Sequence, residues 1–217
     1  LIFVGRNSDG LTDLTPLEKV LRVEAHEFSP KSDLVILHDT TIRPTRTSDF
    51  LKLRKLEHHF HLSFKEPEGF IRLARTLLGC SIGLSLGGGG VRAAAHIGLI
   101  RAFQEENIPI DFVGGTSIGA LVGALFAKGF TTDALEEIIS KEIVKTNLFN
   151  DYVPPLLSLA KGKKFSTFLR ELIGEVSIED LAIPYFAVVT NLTTSSLEVW
   201  DRGSAWEAVR ASASLPG

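Results

Sequence analysis

Apolar and alternating runs predict several short elements in the N-terminal part of the chain. Strands are predicted at residues 1–4, 33–38 and 58–61, where apolar or alternating side chains end at glycine or polar positions. Helices are predicted from Thr15, from Ser48 to Leu56 and over residues 69–78, on capping residues and on the helical spacing of apolar side chains. The pattern therefore predicts an α/β segment over residues 1–80.

From Ser81 onward, strands, glycine-rich turns and helices follow one another closely. The predicted order is a strand at 82–86, glycines at 87–90, a helix at 92–106, a strand at 110–113, glycines at 114–119 and a helix at 120–128. Two strands joined through a helix form a βαβ unit, which implies parallel strands and a right-handed crossover. Further helices are predicted to begin at Asp133, Phe165, Ser177 and Ala205, and further strands at 184–190 and 197–200.

Residues 112–127 contain no charged side chain, and Gly115, Gly119 and Gly123 recur every fourth position. This spacing of small residues also occurs in membrane helices that pack closely together. The run is shorter than the roughly 20 apolar residues that a membrane span needs. Asp111 and Lys128 bound it closely, so we expect a helix that is buried against a sheet.

Composition narrows the class of protein without identifying it. The chain has 217 residues, of which 44% are hydrophobic and 23% charged, as in ordinary globular proteins. A formal net charge of −3 gives no electrostatic reason to expect a nucleic-acid partner. The single cysteine, Cys80, excludes a disulfide within the chain and fits a reducing compartment. Because the sequence begins at Leu1 and has no methionine, we expect it to be part of a longer protein.

The pentapeptide Gly115-Thr116-Ser117-Ile118-Gly119 stands between a predicted strand and a predicted helix. In that context Gly-x-Ser-x-Gly acts as a nucleophile elbow, a sharp turn that lifts the serine hydroxyl clear of the sheet. The N-terminus of the following helix would stabilise negative charge beside Ser117. A glycine-rich turn with an incidental serine remains the alternative interpretation.

The preceding glycine loop has two functional interpretations. Gly88, Gly90 and Ala93 fit the dinucleotide fingerprint, and Asp111 lies roughly 20 residues further on, where that fingerprint places an acidic residue. Alternatively, the loop offers backbone N–H groups as an oxyanion hole beside Ser117. A tight turn without a ligand is the third possibility.

Three histidines, His58, His59 and His61, raise the question of a metal site on a strand. His59 and His61 would share one face, and Glu57 is close in sequence. No partner stands at a recognisable ligand spacing, so we expect no metal site and interpret these residues as polar positions on an exposed strand face.

Together, the sequences from Gly88 to Ala93 and from Gly115 to Gly119 resemble the glycine loop and serine motif of patatin-like phospholipases. Residues 208–217, Ala-Val-Arg-Ala-Ser-Ala-Ser-Leu-Pro-Gly, are similar to the segment that leads to that family's catalytic aspartate. Residues 34–38, 44–47 and 72–75 resemble the stretch before the catalytic domain in the neuropathy target esterase-like, lysophospholipase branch. The resemblance implies a three-layer α/β/α patatin-like domain over residues 81–217, incomplete at its C-terminus, after an N-terminal α/β segment.

This resemblance also implies roles for individual residues. Ser117 would be the nucleophile of a Ser–Asp dyad in a carboxylic ester hydrolase. Gly88, Gly89 and Gly90 would form the oxyanion hole, the amides of the last two acting as donors and Gly88 shaping the loop. Gly115 and Gly119 would support the elbow, and Arg92 would brace the glycine loop or simply carry a surface charge.

The family's base is the aspartate of an Asp-Gly-Gly/Ala motif, and we expect it beyond Gly217. The only Asp-Gly pair, Asp9-Gly10, is followed by Leu11 and lies in the N-terminal segment. His96, four residues after Arg92, is an alternative base but matches a position best interpreted as structural.

The resemblance further implies the partners of the protein. We expect lysophospholipid or phospholipid substrates, no cofactor, no metal and a peripheral position on the cytoplasmic side of a membrane. Cyclic-nucleotide-binding modules upstream would also follow from the family. Two other function classes stay open, a dinucleotide-binding oxidoreductase module on residues 88–93 and a non-catalytic lipid-binding domain.

Overall fold

The structure is a computed structural model that describes residues 2–6, 32–39, 44–52, 54, 56–141 and 163–214. The chain divides into two compact units, Leu1–Ser81 and Ile82–Gly217. The helix predicted from Thr15 lies outside the described residues.

The first unit is built on a parallel sheet. Its strands are β1 (Ile2–Arg6), β2 (Asp33–His38) and β3 (His58–Ser63), in that order across the sheet, and its helices are α1 (Thr47–Leu51) and α2 (Glu68–Leu77). The alternating side chains of β2 divide between two small cores. Leu34 and Ile36 pack with residues of α1, while Val35 packs with β3 and with Leu73 of α2.

The helix predicted over residues 48–56 is shorter in the structure, because α1 ends at Leu51. Its N-cap is Arg46 in a left-handed conformation, rather than Ser48, which lies inside the helix. Asp49 forms ion pairs of 2.9 and 2.7 Å with Arg46 and Lys52 on the exposed side of this short helix. The prediction therefore placed a helix start in the correct region, but its N-cap residue was wrong by two positions.

The second unit contains a mixed sheet with the order β4-β5-β6-β7. Its strands are β4 (Gly83–Leu86), β5 (Phe112–Gly115), β6 (Tyr185–Asn191) and β7 (Ser196–Trp200). The first three strands are parallel, and β7 pairs antiparallel with β6. Because β4 and β5 are parallel, the loops that leave them lie at the same edge of the sheet. That edge carries both glycine-rich turns.

Helices connect and cover these strands. They are α3 (Ala93–Glu105), α4 (Ile118–Ala127), α5 (Thr132–Ile138), α6 (Lys163–Ile173) and α7 (Ala205–Ser212). The alternation of parallel strands and helices confirms the predicted α/β class. The helix predicted from Ser177 is wrong, since the structure forms only a 3-10 turn at Ile178–Asp180. Ser177 instead makes an isolated bridge with Ser204, which fixes the chain in extended form before that turn.

All ten residues of α4 are buried, as predicted for a helix packed on a sheet. Gly123 faces the sheet, where an added β-carbon would lie 3.4 Å from the side chains of Tyr185 and Val113. No helix among the described residues is long and apolar enough to cross a membrane. The uncharged run over residues 112–127 is therefore explained by burial in the protein core.

Candidate functional site

Ser117 lies at the sharp turn between β5 and α4. Its backbone has φ 56° and ψ −120°, a left-handed φ that a residue with a side chain rarely adopts. Such conformations cost on the order of 1–3 kcal/mol and persist where the surrounding structure enforces them. Ser117 is also the N-cap residue of α4, and Leu121 N donates to its carbonyl oxygen at 3.1 Å. The turn therefore has the strand–serine–helix geometry of a nucleophile elbow.

Two glycines make this turn sterically possible. A β-carbon on either Gly115 or Gly119 would overlap the carbonyl oxygen of Leu86 at the end of β4. At Gly119 it would also lie 2.6 Å from the carbonyl oxygen of Gly87. The start of α4 thus packs directly against the backbone that leaves β4, and only glycine fits there.

The glycine loop after β4 runs beside Ser117. A β-carbon on Gly88 would lie 3.5 Å from Cβ of Ser117, which shows how closely the loop approaches the serine. Residues 87–90 are exposed, and Gly90 has a left-handed φ of 55°. Among the described residues, the backbone N–H groups of Gly88, Gly89 and Gly90 make no hydrogen bond. The loop therefore presents unpaired donors next to a half-buried serine.

Two side chains support the loop, one from Arg92 just before α3 and one from His96 within α3. The aliphatic carbons of Arg92 lie 3.4–3.8 Å from the position of a β-carbon on Gly89, so the arginine packs along the loop. Nε2 of His96 is 2.8 Å from the carbonyl oxygen of Gly87. A carbonyl oxygen only accepts hydrogen bonds, so this nitrogen carries the proton and donates it. His96 in this arrangement holds the loop, and its Nε2 has no lone pair available for a base.

The electrostatics of the turn favour a negative charge near Ser117. The first turn of α4 begins at this residue, and the N-terminus of a helix carries a partial positive charge. Gly119 N donates to the carbonyl oxygen of Thr116 at 2.9 Å, which closes the elbow on itself. Thr116 N donates to Leu86 O at 3.0 Å and ties the elbow to β4.

Sequence reasoning did not identify two residues that hold the elbow from other parts of the chain. The hydroxyl of Tyr185 donates to the carbonyl oxygen of Ala120 at 2.9 Å, and burial raises the pKa of this phenol, which stays a neutral donor. Ser212 Oγ accepts a hydrogen bond of 2.9 Å from the backbone N–H of Ser117. Ser212 belongs to the segment 208–217 singled out above, and that was the only sequence signal for it.

The position of Asp111 argues against the dinucleotide interpretation. This residue is fully buried, and one of its carboxylate oxygens accepts a 3.0 Å hydrogen bond from the backbone N–H of Ile82. Ile82 and Asp111 both precede their strands, so the carboxylate lies at the amino ends of β4 and β5. The glycine loop leaves the opposite, carboxyl end of β4. A ribose held beside that loop would not reach Asp111.

The histidines of the first unit form hydrogen-bonded contacts within the protein. His59 and His61 share a face of β3, as predicted, with ring centroids 5.5 Å apart. That face is not the exposed surface that we expected, because His61 Nδ1 lies 3.0 Å from Nε2 of the buried His38. Asp33, Glu57 and His58 place ligand atoms within 4.8 Å of one another. Asp33 accepts hydrogen bonds from the backbone and the ring of His58.

The segment that would lead to the catalytic aspartate is described as far as Ser214. Its last helix, α7, begins at a capping serine, Ser204, whose side chain accepts from Glu207 N. The buried side of α7 belongs to the same core as α4. The sequence after α7 therefore leaves a helix that is fixed beside the elbow.

Comparison with known proteins agrees with these motifs. The sequence model of the family described as patatin-like phospholipase matches residues 84–217. Neuropathy target esterase sws of Drosophila sechellia is 47% identical over 86% of this chain and 15% of that protein. The protein of the same name from Drosophila mojavensis is 40% identical over the same shares. The chain thus spans about 15% of the length of these curated relatives.

Among solved structures, the complex of SpcU with ExoU from the type III secretion system of Pseudomonas aeruginosa is similar at a TM-score of 0.47. The sequence identity is 16%, and the match covers 63% of this chain and 38% of that chain.

Proposed function

Because the chain belongs to the patatin-like phospholipase family, we propose that it supplies the nucleophile and the oxyanion-binding loop of a serine hydrolase. The substrates are acyl esters of lysophospholipids and phospholipids. The observation that carries this proposal is the left-handed backbone of Ser117 beside the glycine loop. Gly88 is so close that a β-carbon on it would lie 3.5 Å from the β-carbon of Ser117. Backbone strain at a polar residue is typical of functional sites.

In the acylation step, Ser117 Oγ attacks the carbonyl carbon of the ester. A serine hydroxyl is a weak nucleophile at neutral pH and needs a base to take its proton. The family pattern supplies this base as an aspartate downstream of Gly217. The hydrogen bond between His96 and Gly87 supports a structural role for His96, which leaves the aspartate as the proposed base.

The negative charge of the tetrahedral intermediate needs donors that are already in place. The amides of Gly89 and Gly90 supply them, and Gly88 gives the loop its close approach to Ser117. Removing one such donor from a hydrolase typically costs about 10²–10³ in turnover. The N-terminus of α4 adds a favourable field at the same point.

Collapse of the intermediate breaks the bond to the leaving alcohol. The protonated aspartate gives its proton to that oxygen, and the acyl group stays on Ser117 Oγ. A water molecule, deprotonated by the same aspartate, then attacks the acyl-enzyme. As the bond between the acyl carbon and Ser117 Oγ breaks, the aspartate returns the proton to Oγ and the fatty acid is released. Both steps use one oxyanion site, and neither requires a metal or an organic cofactor.

The proposed substrate class also suggests where the protein works. Phospholipids and lysophospholipids are held in membranes, so we propose that the protein acts from a peripheral position on the cytoplasmic side. Its curated relatives are named as esterases and are several times longer than this chain. Cyclic-nucleotide-binding modules in the rest of the protein are part of the same proposal, on the strength of the family resemblance.

Fatty-acid release by the full-length protein tests this function. The substrates would be palmitoyl lysophosphatidylcholine micelles and dipalmitoyl phosphatidylcholine vesicles. We expect hydrolysis by the wild type and a loss of about 10⁴–10⁶-fold in Ser117→Ala. Circular dichroism checks that the variant is folded. A folded Ser117→Ala variant with the wild-type rate would exclude Ser117 as the nucleophile. Binding of NADH or of lipid without any hydrolysis would support one of the two other function classes instead.

A further inference from the structure

Ser212 connects the elbow to two elements far from it in sequence. Its Oγ accepts a 2.9 Å hydrogen bond from the backbone N–H of Ser117. The same hydroxyl donates a 2.6 Å hydrogen bond to the carbonyl oxygen of Val188 in β6. A serine hydroxyl has one proton and two lone pairs, so it can donate one of these bonds and accept the other at the same time. The hydroxyl thus bridges the candidate nucleophile and the central part of the sheet.

The backbone N–H of Ser117 needs an acceptor outside its own helix. Ser117 is the N-cap of α4, and the first N–H groups of a helix have no partner within it. The neighbouring amides of Thr116 and Gly119 bond to Leu86 O and Thr116 O. Without Ser212, a half-buried donor would be left unpaired, at a cost of about 1–3 kcal/mol. That cost is comparable to the strain of the left-handed turn itself.

Ser212 is well fixed as an acceptor. It is the last residue of α7, whose buried residues Trp206 and Val209 pack in the core of the second unit. Arg170 of α6 stacks on the ring of Trp206, with its guanidinium carbon 4.3 Å from the ring centroid. The bond to Val188 orients the hydroxyl, so that a lone pair faces Ser117 N. The acceptor is therefore held by α7 and β6 together.

We propose that Ser212 is a positioning residue that holds Ser117 in its reactive conformation through the backbone N–H of the nucleophile. This inference rests on the proposed function, since it assigns a role in the reaction of Ser117. Rotation of the Ser117 peptide would carry Oγ away from the glycine loop. A misplacement of about 1 Å at a reacting atom can reduce the rate by about 10²-fold.

The chain offers matched variants for testing this role. Ser212→Ala removes the acceptor, whereas Ser212→Thr keeps the hydroxyl. Ser214→Ala is the control, because the exposed Ser214 hydroxyl, two residues after α7, donates to Arg210 O rather than to the elbow. The full-length protein would be used throughout, with kcat and KM measured separately on palmitoyl lysophosphatidylcholine. The rate constant for labelling by a fluorophosphonate reports the reactivity of Ser117 without a lipid substrate.

We expect Ser212→Ala to lower both kcat and the labelling rate constant by about 10–100-fold, with KM within about twofold of the wild type. Ser212→Thr should recover most of the rate, and Ser214→Ala should behave as the wild type. A folded Ser212→Ala variant that is labelled at the wild-type rate would overturn the inference while leaving Ser117 as the nucleophile. Absence of labelling at Ser117 in the wild type would overturn both proposals.

Hydrogen exchange on the wild type gives a second test that does not depend on a variant folding. The inference predicts that the Ser117 amide exchanges much more slowly than an unpaired, solvent-exposed amide, because it is bonded to Ser212. Exchange at the rate of an unpaired amide, in a protein that is otherwise protected, would show that the bond does not hold the elbow.

Discussion

The two glycine-rich turns at the carboxyl edge of the second sheet contain glycine for different physical reasons. In the elbow, a β-carbon on Gly115 or Gly119 would overlap backbone atoms of Leu86. In the loop after β4, a β-carbon on Gly87 or Gly90 would meet no atom within 4 Å. Close packing therefore requires glycine in the elbow, whereas most positions of the loop have space for a β-carbon.

This difference indicates what the loop glycines do. At Gly90 the left-handed φ favours glycine, but at Gly88 a β-carbon would meet only ordinary contacts, the nearest being Ser117 Cβ at 3.5 Å. A side chain there would occupy the space in front of the serine, where the ester carbonyl must approach in the proposed reaction. Packing thus explains the elbow glycines, and in the proposed reaction Gly88 keeps the approach to Ser117 open. Substitution of glycine by alanine should therefore reduce stability in the elbow, but reduce turnover at Gly88.

Gly119→Ala should produce the largest effect on stability. The added methyl would lie 2.6 Å from the Gly87 carbonyl oxygen and would overlap that of Leu86, and neither backbone group is free to rotate away. We expect a loss of about 3 kcal/mol or more in the free energy of unfolding, at the upper end of the usual cost of overpacking. Denaturant titration followed by circular dichroism measures it. A variant as stable as the wild type would show that the elbow is not packed against β4 in this way.

Gly88→Ala should leave stability within about 0.5 kcal/mol, as for ordinary surface substitutions. Its turnover of lysophospholipid should fall by about 10²-fold, since the methyl displaces the ester from its attack geometry. Steady-state kinetics beside the same denaturant titration separates the two quantities. Comparable losses of stability in Gly88→Ala and Gly119→Ala would remove the distinction between the two turns.

Gly98→Ala should have the smallest effect and calibrates the comparison. Gly98 is exposed inside α3, and a β-carbon on it would meet nothing within 4 Å. Alanine in a helix interior is more favourable than glycine by about 0.5–1 kcal/mol, so the variant should be slightly more stable. Its turnover should equal that of the wild type. A destabilised Gly98→Ala variant would mean that glycine positions here depend on contacts outside the described residues.

The local parts of the site could be predicted from the sequence, because neighbouring residues encode them. An apolar strand, the pattern Gly-x-Ser-x-Gly and an uncharged helix are contiguous, and each element constrains the next. The same holds for β4, the glycine loop and α3, which together gave the parallel βαβ unit. The uncharged run over residues 112–127 was correctly interpreted as containing a buried helix, now seen at Ile118–Ala127, because the run is too short for a bilayer.

The hydrogen bonds between residues far apart in sequence could not be predicted, because no local sequence pattern indicates them. Ser212 reaches Ser117 across 95 positions of sequence. Tyr185 reaches Ala120 across 65 positions, and as a residue of a predicted strand it gave no sign that its hydroxyl would hold a helix. The prediction of a helix from Ser177 was wrong for a related reason. Its N-terminal signals are genuine, but Leu181 returns to an extended backbone and ends the turn.

Active-site labelling measures the role of Ser117 most directly. The full-length protein would be treated with a fluorophosphonate, digested and mapped by mass spectrometry, alongside the Ser117→Ala variant. We predict a single stoichiometric adduct on the peptide that contains Ser117, parallel loss of esterase activity, and no adduct on that peptide in the variant. An adduct on a different residue that accompanies the loss of activity, or full activity after Ser117 has been modified, would contradict the assignment of Ser117 as the nucleophile.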